Sequence, residues 1–124
     1  MTTNRIKLVV TAALAALFVS GCVSAGVTPI GSSSLPPLPK NSPVLVYLSE
    51  KEVNAPFKVV GIVSYTNPGK YQVLTLTDAI PTLKEQARKV GANGLIILDT
   101  RTIKSGIIST GIGVEAKAIL VDLK

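Results

Sequence analysis

One thiol, seven carboxylates and no imidazole are what this 124-residue chain offers to chemistry. Without His there is no His-based triad, no His-assisted acid–base step and no His-ligated metal. A single Cys closes no internal disulfide and builds no thiolate cluster. Asp78, Asp99 and Asp122 are the candidates for carboxylate catalysis, which needs a pair within about 10 Å. Their settings point elsewhere. Asp78 stands at the start of an apolar helical pattern, as an N-cap does, and Asp99 and Asp122 close apolar strand patterns. Asn67-Pro68-Gly69-Lys70 hints at a phosphate loop. A P-loop carries Gly five residues before its second Gly, and Ser64 stands there, so a turn is the better reading. These residues define no reaction centre. The expectation is no enzyme, no cofactor and no metal.

Cys22 stands where a thiol has a different use. Arg5 and Lys7 precede an apolar or small run, Leu8 to Val19, of 12 residues, followed by small residues and the Cys. This is the layout of a secretory signal peptide. The run is short for a spanning helix, which needs about 20 residues. Val19-Ser20-Gly21-Cys22 resembles the lipobox of bacterial lipoproteins. The resemblance implies that residues 1–21 are cleaved, that the Cys22 thiol receives a diacylglyceryl group, and that the new amine is acylated. Two or three acyl chains give firm membrane attachment, since each buried CH₂ adds about 0.8 kcal/mol. Val23, rather than Asp, follows the Cys. By resemblance to enteric-type sorting, that directs the protein to the outer membrane, with its domain facing the periplasm.

Removing Arg5 and Lys7 from the 13 bases leaves 11 against 7 acids, a charge of +4. The densest basic cluster is Arg88-Lys89, and the aromatics left are Tyr47, Phe57, Tyr65 and Tyr71. A nucleic-acid surface shows more clustered charge than this, so no nucleic-acid partner is expected.

Residues 22–42 comprise the lipidated Cys and a segment rich in Ser, Gly and Pro, read as a linker. The first expectation is a spacer lifting the domain off the membrane; a docked segment is the alternative, because a Pro-rich strand loses little entropy on binding. Residues 43–124 form the globular domain. Val44–Leu48 and Phe57–Tyr65 read as strands, with Phe57, Val59, Gly61, Val63 and Tyr65 on one face. Ile80, Leu83, Ala87 and Val90 recur at helical spacing, which predicts a helix over about 79–90. Its signals are an Asp78 N-cap, Pro81 in the first turn, and Gly91 as left-handed C-cap. Gly94–Asp99 and Gly113–Asp122 are two further strands, the last with Val114, Ala116, Ala118 and Leu120 on one face. The fold expected is α+β in the order β-β-α-β-β, about four strands in one sheet with one main helix packed on it.

Phe57-Lys58-Val59-Val60-Gly61-Ile62-Val63, the helix, Gly91-Ala92-Asn93-Gly94 and the closing strand Gly113–Ala118 together resemble the small α/β domains of the YbjQ-like and RcsF-like group. Many of these are bacterial lipoproteins. Their pattern is an "lGxV" strand, a helix, a "GANA" turn opening a strand, and a closing strand of small residues. The resemblance covers about residues 44–122 and implies the fold and an envelope location. Gly94 stands where Ala is usual. The stapling cysteines of RcsF-like sensors and the soft ligands expected for metal binding are both missing, so neither role carries over.

One stretch remains. Thr100 to Ile112 reads as a long connection, with Ile103, Ile107, Ile108 and Ile112 set beside Gly106, Gly111 and Gly113. Long loops carry function more often than core elements do. Either some of these isoleucines fold back into the core, or they form a partner-binding surface. The functional expectation is a non-enzymatic envelope lipoprotein. It has the membrane as one partner, through Cys22, and an envelope protein as another, in an adaptor, assembly or stress-sensing role. The alternative is a small-ligand or metal-binding envelope module.

Overall fold

Alternation of apolar and polar residues accounts for most strands of the computed structural model, which describes residues 23–31, 35–69, 72–105 and 109–123. In chain order the elements are β1 (Ser24–Pro29), β2 (Leu45–Tyr47), a 3-10 turn (Glu50–Glu52), β3 (Phe57–Asn67), α1 (Leu76–Lys89), β4 (Gly94–Ser105) and β5 (Ser109–Val121). The strands form one sheet in the order β1-β3-β5-β4-β2. β1 with β3, β3 with β5 and β4 with β5 are antiparallel, and β2 runs parallel to β4. Among the described residues the class is α+β, one sheet with one main helix. The described residues hold five strands rather than the four expected.

The extra strand corrects the linker boundary. Ser24–Pro29 pairs residue for residue with β3, from Ser24 opposite Thr66 to Pro29 opposite Gly61. Its side chains gave little warning, since only Val27 packs against the main core. An edge strand is held largely by its backbone hydrogen bonds, and Gly26 and Pro29 are tolerated there. The Pro-rich stretch is docked too. Leu35 packs on the core, the Leu38 N–H donates to the Arg88 carbonyl at 2.8 Å, and Arg88 Nε donates to the Ser42 carbonyl at 2.8 Å.

The helix starts three residues earlier than expected. Thr75 is the N-cap and Asp78 is the third helical residue, whose carboxylate accepts the Thr75 backbone N–H at 2.7 Å. This is a capping box, with Asp in the place of Glu. Pro81 therefore lies beyond the first turn, where it withholds an N–H from the Thr77 carbonyl. The inward stripe holds Ala79, Leu83 and Ala87, all fully buried, while Ile80 and Val90 are half-buried.

The two faces of the sheet are covered differently. α1 lies over Val60, Val63, Tyr65, Leu95, Ile112, Val114, Ala116 and Ala118, the small alanines leaving room for the helix. On the other face Ile96, Ile119 and Val121 pack with Tyr47, Val53, Ala55, Phe57 and Val59. A bulge between Val59 and Gly61 explains why β3 contributes to both. The extra residue reverses the alternation, so Phe57 and Val59 face away from the helix while Val63 and Tyr65 face it. The expected single face of β3 is thus split. Leu120, expected on the buried face of β5, is exposed, and its neighbours Ile119 and Val121 are buried on the opposite side.

Candidate functional surface

The candidate carboxylates do not converge on a cleft. Asp78 caps α1. Asp99 lies 3.4 Å from Arg101 on an exposed strand, and Asp122 is exposed just after β5. Asp99 is opposite Glu115, but on an open sheet face. Glu50 pairs with Lys117 at 2.8 Å. Asn67 folds its own turn, its Oδ1 accepting the Gly69 N–H at 3.0 Å. A groove of about 150 Å³ lies between Pro37, Leu38 and Lys40 and the helix residues Glu85, Arg88 and Lys89. Ligand pockets run to about 300–1,000 Å³, so this is a packing seam. Among the described residues no three potential metal ligands come together.

The Gly91-Ala92-Asn93 turn is the most densely bonded feature outside the sheet. Gly91 has φ +74°, and its N–H donates to Arg88 while the Ala92 N–H donates to Ala87, both at 3.1 Å. That is a Schellman cap. A Cβ on Gly91 would sit 2.7 Å from Leu35 Cβ. Ala92 is fully buried. Asn93 works as a backbone surrogate. Its Nδ2 donates to the Val121 carbonyl at 3.0 Å and its Oδ1 accepts the Val121 N–H at 2.7 Å. Its own carbonyl accepts the Leu45 N–H at 3.0 Å. At Gly94 a Cβ would meet Ile119 at 2.9 Å and Tyr47 at 3.3 Å. That crowding leaves no room for a side chain at this position. Composition alone did not disclose these roles; the turn binds helix, core and three strands, and it is structural.

Of the stretch expected as a connection, residues 100–105 belong to β4 and residues 109–112 to β5. β4 and β5 remain paired out to Ser105 opposite Ser109. Ile112 is a core residue at 4% exposure, and Ile103 is half-buried opposite Gly111. Ile107 and Ile108 lie outside the described residues. The glycines misled because Gly111 marks close approach, not a turn: a Cβ there would collide with the Asn67 carbonyl. Val19, Ser20, Gly21 and Cys22 also lie outside the described residues. The first described residue is Val23, exposed, immediately followed by β1. Among the described residues no helix is long and apolar enough to cross a membrane.

The end of the sheet where β1 begins is the surface that remains. Ser24, Thr66, Gly113 and Arg101 form one row across β1, β3, β5 and β4. Beyond that row β3 ends one residue on, at Asn67, while β4 and β5 continue to Ser105 and Ser109, carrying exposed Lys104. Val73 bridges to Thr110 at this same end and is the most exposed large apolar residue described, at 72%.

No protein-family model and no curated protein matches the chain. Among solved structures, the Francisella virulence factor FvfA in its orthorhombic crystal form is similar in fold, with a TM-score of 0.54 and 17% identity. The match covers 77% of this chain and 96% of that one. At that identity the likeness shows a shared fold and nothing of activity.

Proposed function

We propose that this is a lipid-anchored protein of the bacterial cell envelope that works through protein contacts and catalyses no reaction. The observation carrying the reading is Cys22, the single thiol, placed directly after Val19-Ser20-Gly21 and an apolar run of signal-peptide length. The scattered carboxylates, each capping, paired or on an open face, support the absence of catalysis. The ordered strand, helix, GAN turn and closing strand support kinship with the YbjQ-like and RcsF-like group, and Val23 supports an outer-membrane destination. Likeness to a virulence factor is compatible with an envelope role and does not define one.

The test is Cys22→Ser expressed in a bacterial host. The expected outcome is an uncleaved precursor lacking acyl mass and a changed distribution between membrane and soluble fractions. Mass spectrometry finding an unacylated Cys22 in the membrane-bound wild-type protein overturns the proposal.

A further inference from the structure

We infer that the end of the sheet bearing Ser24, Val73, Arg101 and Lys104 is held against the lipid surface. This rests on the proposed acylation of Cys22. The argument is one of length. β1 begins at Ser24, so Val23 alone separates the anchor residue from a strand hydrogen-bonded into the sheet. Two residues reach at most about 7 Å. A 20-residue flexible spacer would instead allow about 25 Å root mean square, leaving the domain free to tumble. The tether is therefore too short for the domain to present an arbitrary side to the bilayer.

Geometry then selects the side. The β4–β5 pair runs four residues beyond the Ser24 row, from Arg101 to Ser105. At about 3.3 Å per residue this is about 13 Å, more than the tether can reach. A lipid surface within reach of Cys22 meets this extension or forces the domain to tilt until the extension lies along it. The residues exposed there suit a headgroup boundary. Val73 and Val23 are exposed apolar side chains, and Arg101 and Lys104 are exposed cations. Of the carboxylates nearby, Asp78 is engaged in the helix cap and Asp99 lies beside Arg101, while Glu115, opposite Asp99, is exposed two rows further from this end. The opposite end of the sheet holds the GAN turn and the last turn of α1, including exposed Lys89.

The experiment uses the full chain, matured in cells and reconstituted in vesicles of phosphatidylethanolamine and phosphatidylglycerol carrying a doxyl-labelled phospholipid. Val73→Cys, Lys104→Cys and Lys89→Cys are each labelled with an environment-sensitive fluorophore. Quenching is expected to be severalfold stronger at positions 73 and 104 than at 89. A Gly/Ser spacer of about 20 residues inserted between Val23 and Ser24 should remove that difference. Equal quenching at all three positions, with acylated Cys22 verified by mass, overturns the inference and leaves the lipoprotein reading standing. A difference that survives the spacer overturns the short tether as its cause. Absence of acyl mass overturns both, and is recognised as such.

Discussion

The Gly91–Asn93 turn and the β4–β5 extension lie at opposite ends of the sheet and direct their residues in opposite senses. At the turn, backbone and side-chain groups point inward: Arg88 accepts from both Gly91 and Leu38, and Asn93 closes two hydrogen bonds on Val121. At the extension, Arg101, Thr102 and Lys104 point to solvent, with no described strand beyond β4 on that edge. One end is where the fold is locked. The other has polar and basic groups to offer a surface. The lesson is that a distinctive motif and an exposed surface need not coincide; here the Gly91–Asn93 motif, conspicuous in the sequence, is structural.

The comparison breaks first at Ile112, which belongs to the extension by sequence and to the core by position. Ile112→Ala is expected to destabilise the protein by about 2–5 kcal/mol, read from urea denaturation. A loss below 1 kcal/mol, on the order of a surface change, would mean that this residue is not core. Gly91→Val places a β-branched residue in left-handed backbone, against Leu35. Strain of about 1–3 kcal/mol is expected, visible as a lower denaturation midpoint. Asn93→Ala removes both bonds to Val121 and should cost about 1–2 kcal/mol, with faster amide exchange at Val121. The smallest effect sharpens the contrast. Val73→Ser combined with Lys104→Ser should leave stability within about 0.5 kcal/mol, since both side chains are exposed. A larger drop in melting temperature would show that this end is also structural.

Local signals were legible in the sequence and long-range ones were not. The helix stripe and its Gly91 cap depend on residues a few positions apart, and both were readable. The start of the helix was misplaced because Asp78 suits the N-cap as well as the third position, and only Thr75 distinguishes them. β1 escaped notice because its partner is β3, about forty residues away, and what joins them is backbone. The β3 bulge was invisible for the same reason, being defined by register against β5. The proposed anchor at Cys22 rests on the sequence motif alone, whereas the sheet end next to it emerged only with β1. Of the two outcomes open for the isoleucines, Ile112 takes the core one; the strand around it was missed because Gly111 reads as a loop residue until Asn67 is found against it.

β5 lies at the middle of the sheet and is the last strand in the chain. Until it arrives, β1 and β3 on one side have no connection through the sheet to β4 and β2 on the other. The Asn93 clamp waits for the same strand, since its partner Val121 is 28 residues downstream. A nascent chain emerging from its N-terminus thus has every earlier element in hand and still cannot close the sheet. Early folding is disfavoured by topology, because the contacts that unite the two halves are the non-local ones made last. That order of synthesis keeps the sheet open until β5 has been made.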